Sequence, residues 1–308
     1  MKKVIALLKP YLRWMILGGT LFYLAKAFKD RWQEVASLRI EGTQWLILII
    51  ALLVTFLAHI WSGWVWYSIL RWFQQPVSLS WVLPLYLKTN IAKYLPGNVW
   101  HFYGRIHAIQ KAGSLLGVAV LSVLLEPLLM SASALILGLT TIPSELLISS
   151  TIPGTQFLPF FGLGVVLLGI HPRLLNPVIE YLSRSKTKGQ DLDNVKLTHY
   201  PFFPLLGALI FVLLRGGGFL FAFATFAPVH FSQIPLLLSA FSFAWFLGLI
   251  VPTPGGLGVF ETTAIALLSS SVSTGILLSI LALYRGISIL AEIIAAGLAW
   301  LYEITFPD

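Results

Sequence analysis

Apolar segments about as long as a membrane is thick recur along this sequence, and they restrict its fold more than any other feature. The hydrocarbon core of a bilayer is about 30 Å thick, and a helix of about 20 residues crosses it. Spanning segments are predicted at 12–28, 45–70, 115–140, 200–227, 234–251 and 276–303, with a shorter one at 156–170. Only 10% of the 308 residues are charged, which is too few to cover a soluble globule. The sequence therefore predicts an all-α, polytopic membrane protein.

Two other segments are broken by proline and glycine. Residues 78–100 contain Pro96 and Gly97, and residues 252–271 begin with PTPGGLGVFE. Neither pattern continues a regular helix, so both segments resemble re-entrant hairpins or broken helices. We expect about 7–8 spanning helices together with these two segments. No low-complexity tract divides the chain, so residues 1–308 are predicted to form a single membrane domain.

Lysine and arginine predict the orientation, because they are enriched in the cytoplasmic loops of membrane proteins. The N-terminus and residues 171–199 are both rich in them, so we expect both on the cytoplasmic side of the cell membrane, although basic residues at 27–43 break the pattern. Residues 171–183, HPRLLNPVIEYLS, are too polar to span and predict a short interfacial helix. The net charge of +8 fits this rule, or alternatively a basic surface for anionic lipid headgroups.

Composition and spacing exclude several kinds of site. The chain has no cysteine, which excludes disulfides and cysteine metal sites. We expect no nucleic-acid partner, because no soluble domain is present to carry one. His101 and His107 lie six residues apart and do not share a helix face, so we expect neither a metal nor a cofactor. His101 is interpreted as an interfacial residue beside Trp100, and His59, His171, His199 and His230 are scattered and carry no signal.

Ionisable residues within apolar segments indicate the candidate site. A charge inside a membrane is costly and usually faces a partner or a wet cavity. Arg285 and Glu292 are seven residues apart, about 10 Å along a helix, so each needs another partner. Glu126 and Glu261 are both candidates for Arg285, and pairing that only holds helices together remains an alternative. We predict a substrate-binding set comprising Arg105, Glu126, Arg215, Glu261, Arg285, Gly97, Gly255, Gly256 and Gly258.

The two broken segments share an arrangement that suggests a degenerate internal repeat. Each has a proline-glycine break, a charge, an apolar helix and then the opposite charge, with the sign order reversed between residues 1–140 and 141–308. Interrupted segments at matching places in two halves are typical of transporter binding sites. The free N–H groups of half-helices would suit an anionic headgroup, with Arg105 and Arg285 adding phosphate contacts. Tight loops between spans are the alternative.

Four motifs carry a resemblance to a known family. They are KYLPGNVWHFYGRIHAIQKAG at 93–113, LLEP at 124–127, PTPGGLGVFE at 252–261 and LYRG at 283–286. Over nearly its whole length the chain resembles the membrane domain of bacterial lysylphosphatidylglycerol synthase/flippase proteins and their stand-alone relatives. The positions that match the family pattern are Pro96, Gly97, Gly104, Arg105, Glu126, Pro254, Gly255, Gly256, Gly258, Glu261 and Arg285.

The resemblance implies a polytopic fold with two re-entrant elements and a role in moving a lipid between leaflets. No aminoacyl-transferase domain follows the membrane segments in this sequence, so lysyl transfer is not expected. The first hypothesis is therefore a translocase of a membrane phospholipid or a lipid-linked sugar. One alternative is an enzyme of lipid or glycoconjugate synthesis, with Glu126 and Glu261 as acid and base. Another is a membrane subunit for a separate synthase or glycosyltransferase.

Overall fold

The computed structural model describes residues 39–95, 99–143, 157–184, 197–251 and 253–306, together with part of 22–37. These residues form helices and no strand, as the sequence predicts. The α-helices are α1 (Trp32–Ser37), α2 (Thr43–Trp72), α3 (Leu79–Asn90), α4 (Trp100–Lys111), α5 (Leu116–Thr141), α6 (Leu158–Gly169), α7 (Pro172–Arg184), α8 (Phe202–Ala224), α9 (Ile234–Ile250), α10 (Val259–Leu268) and α11 (Thr274–Thr305).

Within the described residues, 5 helices are long and apolar enough to cross a membrane. They are α2, α5, α8, α11 and α9 with the 3-10 turn Phe231–Gln233 before it. A sixth span is possible by length if α6 and α7, which are bent by 55° relative to each other, count together. Long apolar helices are thus confirmed at 45–70, 115–140, 200–227, 234–251 and 276–303. The predicted span at 12–28 lies almost wholly outside the described residues.

Glycines let α8 pack closely against its neighbours. A Cβ atom added to Gly216 would lie 2.8 Å from Leu238 Cδ2 of α9, and one added to Gly218 would collide with Thr55 of α2. The helix continues through Gly216, Gly217 and Gly218 without a break. These glycines therefore serve close helix contact, the way in which small residues usually act in membrane interfaces.

Each of the two predicted broken segments contains a 3-10 turn, and these two turns lie against each other. After α3 the chain forms a 3-10 turn at Ile91–Tyr94, and after α9 it forms another at Pro254–Gly256. A Cβ atom on Gly255 would lie only 2.9 Å from Cε1 of Tyr94, so the ring of the first turn covers the backbone of the second. The packing thereby brings two segments that are distant in sequence to one place between α5, α9 and α11.

The helix predicted at 171–183 is observed as α7. Leu175 and Ile179, one turn apart, are buried against the rest of the protein, whereas Arg173 is exposed. Asn176 of α7 is hydrogen-bonded to the backbone of Leu197. Its Nδ2 donates to the Leu197 carbonyl at 3.0 Å, and its Oδ1 accepts from the Leu197 amide at 2.9 Å. Residues 185–196, the most charged part of the predicted cytoplasmic loop, lie outside the described residues.

Candidate functional site

Arg105 and Glu126 form a buried ion pair between α4 and α5. One guanidinium nitrogen of Arg105 donates to Glu126 Oε2 at 2.7 Å, and its Nε donates to Thr89 Oγ1 at 3.1 Å. The guanidinium also lies over the Tyr86 ring, 3.8 Å from the centroid. The Tyr86 hydroxyl donates to the other Glu126 oxygen. Because both carboxylate oxygens have partners and Arg105 is only 1% exposed, this pair joins the helices tightly.

Arg285 and Glu261 form the matching pair in the second half. Arg285 Nε and Nη2 donate to Glu261 Oε1 at 2.9 and 2.6 Å, and its Nη1 donates to the Gly255 carbonyl at 2.7 Å. Glu261 Oε2 accepts from the Gly258 amide at 2.8 Å, at the start of α10. Of the two candidate partners for Arg285, the structure therefore selects Glu261. Glu126 is instead paired with Arg105.

The start of α10 differs from the expected anion site. We predicted that free N–H groups after the break would face a ligand, but the Gly258 amide is taken by the Glu261 carboxylate. The carbonyls of the glycine turn, rather than its amides, face Arg285. An acid in the first turn competes with any other anion for the positive end of the helix. The Gly258 amide is therefore not available to a ligand.

Gly256 is required by both its conformation and its surroundings. Its φ is +70°, and a Cβ atom there would lie 3.1 Å from the Gly248 carbonyl oxygen and 3.3 Å from Gly248 Cα of α9. We expect Gly256→Ala to lower the free energy of unfolding by about 1–3 kcal/mol, because alanine is strained at positive φ and the backbone cannot move aside. Thermal unfolding in detergent, followed by tryptophan fluorescence, measures the change.

Gly286→Ala is the matched control for Gly256→Ala. Gly286 lies within α11, and a Cβ atom there meets nothing within 4 Å. Alanine is favoured over glycine in a helix by about 0.5–1 kcal/mol, so we expect no loss of stability. Equal melting temperatures for the two variants would show that the turn at Gly256 tolerates a side chain.

Glu292 is the centre of a third polar cluster, formed by α2, α11 and the first 3-10 turn. Its Oε1 lies 2.5 Å from Lys93 Nζ and 3.3 Å from His59 Nε2. Its Oε2 is buried and has no hydrogen-bond partner. The predicted need of Glu292 for a partner other than Arg285 is therefore confirmed, and that partner is Lys93.

Arg215 has no carboxylate partner within the described part of the chain. Its Nη1 donates to Ser288 Oγ at 3.2 Å and lies 3.4 Å from His59 Nε2, while its Nε and Nη2 donate to no described group. The residue is 8% exposed, and its guanidinium lies 5.2 Å from the centroid of the Tyr284 ring. A buried cation without a counter-charge is unfavourable in a low-dielectric interior. Arg215 is therefore the group best placed to attract an anion.

A cavity of about 320 Å³ lies between the two breaks. Arg215, Arg285 and Glu292 line its polar part, and Phe102, Trp245, Leu249 and Phe260 are among its apolar walls. A smaller cavity of about 140 Å³ adjoins it and shares Arg215, Lys93 and Glu292 in its lining. Pro127, which follows Glu126 within α5, lines both cavities.

The structure places the predicted site residues in three ways. Arg215, Arg285, Gly255 and Gly256 line the larger cavity. Arg105 and Glu126 line the smaller one and are occupied with each other. Glu261 and Gly258 line neither cavity. Glu261 binds Arg285 and accepts a hydrogen bond from the Gly258 amide. Gly97 lies outside the described residues.

Sequence reasoning missed several residues of this site. His59, which carries no signal in the sequence, is buried and contacts both Glu292 and Arg215. His101 was expected at the interface, but it is buried and lines both cavities, with its Nδ1 unpartnered. Lys93 had one available signal, since it precedes the first break by three residues among apolar neighbours.

Comparisons with known proteins add no identification. No family model matches the chain, and no curated protein matches its sequence. In the described residues, no three histidine, cysteine, aspartate or glutamate side chains are grouped in a way that could hold a metal ion. The chemistry of the site therefore rests on its own charges and shape.

Proposed function

We propose that the protein is a lipid translocase of flippase type that binds an anionic headgroup in the cavity between its two breaks. The observation that supports this most strongly is Arg215, a buried cation on an apolar helix beside that cavity, with two guanidinium nitrogens that donate to no described group. Such a charge inside a membrane helix usually serves a substrate path. The apolar and aromatic walls around it suit the glycerol and acyl part of a lipid.

The proposal includes the finer topology. In it, the two broken segments are re-entrant, about 7–8 helices span the cell membrane, and the N-terminus and residues 171–199 are cytoplasmic. Support comes from the contact between the two 3-10 turns, because irregular backbone at membrane depth is tolerated only where protein or a cavity covers it. Cysteine labelling from each side would test this topology, and the natural chain contains no cysteine to interfere.

The geometry favours transport over acid–base catalysis. Both oxygens of Glu126 and both of Glu261 accept hydrogen bonds from fixed partners. A general acid or base needs a proton position that faces the substrate. Glu261 lines neither cavity, and Glu126 is held by Arg105 and Tyr86, so both carboxylates serve to hold their partners. Together with the resemblance to flippase proteins and the uncompensated charge of Arg215, this supports translocation of an intact lipid.

Reconstitution tests the proposal directly. We expect the purified protein in phosphatidylcholine vesicles with a trace of headgroup-fluorescent phosphatidylglycerol to make the inner-leaflet probe accessible to dithionite. We expect Arg215→Gln to slow this by about 10–100-fold, because a hydrogen bond to a charged group contributes roughly 1.5–3 kcal/mol. Arg71→Gln, at an exposed arginine in the last turn of α2, should leave the rate unchanged. Wild-type vesicles that behave like protein-free vesicles would refute the function.

A further inference from the structure

Two of the residues that line the larger cavity are leucines that are also exposed. Leu124 of α5 is 42% exposed in the monomer, and Leu249 of α9 is 38% exposed. The other described side chains of the lining are buried or half-buried. The lining of the cavity is thus exposed at Leu124 and Leu249, its rim, and both of these side chains are apolar.

The neighbours of these leucines show which way the rim faces. Leu128, one turn after Leu124, and Ile250, next to Leu249, are exposed but do not line the cavity. The outer surface beside the rim is therefore apolar on both helices. Apolar side chains exposed on long spanning helices face the hydrocarbon of the bilayer. The rim therefore faces lipid rather than water.

Elsewhere α5 and α9 are in tight contact. Ser239 Oγ of α9 donates to the Gly138 carbonyl of α5 at 3.1 Å, and a Cβ atom on Gly138 would lie 3.2 Å from the Phe243 ring. Gly138 lies near the end of α5, whereas Leu124 lies nearer its start. The two helices are joined at one end of their contact and border the cavity at the other. An acyl chain that passes beside the cavity would leave the contact at Gly138 intact.

The polar part of the cavity carries one positive charge in excess. Each described carboxylate that lines one of the two cavities, or that binds a residue of their lining, is paired with its own cation. With the histidines counted as neutral, Arg215 is the one lining cation that is not in such a pair. The three pairs are Arg105 with Glu126, Arg285 with Glu261, and Lys93 with Glu292. A single phosphodiester charge neutralises Arg215, whereas a diphosphate would leave negative charge unpaired in a low-dielectric site.

On the basis of the proposed function, we infer that the cavity takes a diacyl lipid with a monoanionic headgroup, which reaches Arg215 sideways between Leu124 and Leu249. The phosphate accepts hydrogen bonds from the free nitrogens of Arg215. The acyl chains pass over the two leucines and stay in the bilayer. This arrangement needs no opening large enough for a whole lipid, because only the headgroup enters the protein.

Photolabelling of the full-length protein tests the lateral route independently of transport. The probe is phosphatidylglycerol with a diazirine on one acyl chain, in phosphatidylcholine vesicles. We expect mass spectrometry to find adducts at Leu124, Leu249 or their immediate neighbours. Unlabelled phosphatidylglycerol should compete, whereas soluble glycerol 3-phosphate and added phosphatidylcholine should not. Adducts spread evenly over exposed leucines, or competition by glycerol 3-phosphate, would overturn the inference.

Bulky substitutions at the rim provide the second measurement. We expect Leu124→Trp and Leu249→Trp to lower phosphatidylglycerol translocation to the level of protein-free vesicles. Leu213→Trp on α8, at a leucine 43% exposed and away from the cavity, is the matched control and should retain the wild-type rate. Wild-type rates in both rim variants would refute the lateral route while leaving the proposed function intact. Specific adducts at the rim in a protein that moves no lipid would support the route and refute translocation.

Discussion

Arg105→Met is expected to lower the free energy of unfolding by about 3–5 kcal/mol, the usual effect of removing one partner of a buried ion pair. The change leaves the Glu126 carboxylate inside the protein, with the Tyr86 hydroxyl as its one remaining donor among the described residues. It also removes the contacts of the guanidinium with Thr89 and with the Tyr86 ring. Thermal unfolding in detergent, followed by tryptophan fluorescence, measures the loss.

The double variant Arg105→Met/Glu126→Met separates charge from packing. If the unpaired carboxylate causes most of the loss, the double variant should be more stable than Arg105→Met alone, since two apolar side chains leave no buried charge. If the two single losses simply add, the ion pair does not determine stability, and packing around Arg105 does. Arg71→Met, at an exposed arginine, should change the melting temperature little.

Arg285→Ala is expected to abolish lipid translocation while the protein remains folded and inserted. Arg285 is the only described side chain that binds both Glu261 and the carbonyls of the glycine turn, so its loss releases the second break beside the cavity. The cost in stability should be smaller than for Arg105, because the Arg285 side chain is 19% exposed and Glu261 keeps the Gly258 amide. The dithionite assay measures transport, and size-exclusion chromatography checks folding.

Glu261→Ala should have the same effect as Arg285→Ala, because each residue holds the other in place. In the proposed function, the pair positions the cavity and Arg215 contacts the headgroup. The dependence of the translocation rate on lipid concentration distinguishes the two roles. We expect this dependence to change in Arg215→Gln, whereas a higher lipid concentration should not rescue Arg285→Ala. Unchanged headgroup movement in both Arg285→Ala and Glu261→Ala would contradict the role of this pair.

Much of the second break follows from its residues alone. The prolines and glycines of 252–258 predict the end of α9 and a tight turn, and the positive φ values of Gly255, Gly256 and Gly258 confirm it. The position of Glu261 predicts the start of α10, which begins at Val259. These features depend on neighbours within one or two turns of chain, so local rules are sufficient for them.

The polar cluster around Glu292 could not be predicted in the same way. His59, Lys93 and Glu292 come from α2, the first 3-10 turn and α11, and no spacing in the sequence relates them. His59 lies in an apolar run whose prediction as a helix does not depend on a histidine at that position. Only the packing of α2 against α8 and α11 shows that this histidine faces Arg215 and Glu292.

The sequence by itself determined that this protein is helical and suited to a membrane, where five of its long helices lie, and where the chain turns after α9. Those properties depend on hydrophobicity and backbone preference over short stretches of chain. Only the tertiary structure decided that Arg105 pairs with Glu126, Arg285 with Glu261 and Lys93 with Glu292, and that Arg215 is left over. The partner of a buried charge depends on which helix faces meet, and that arrangement results from packing across the whole chain.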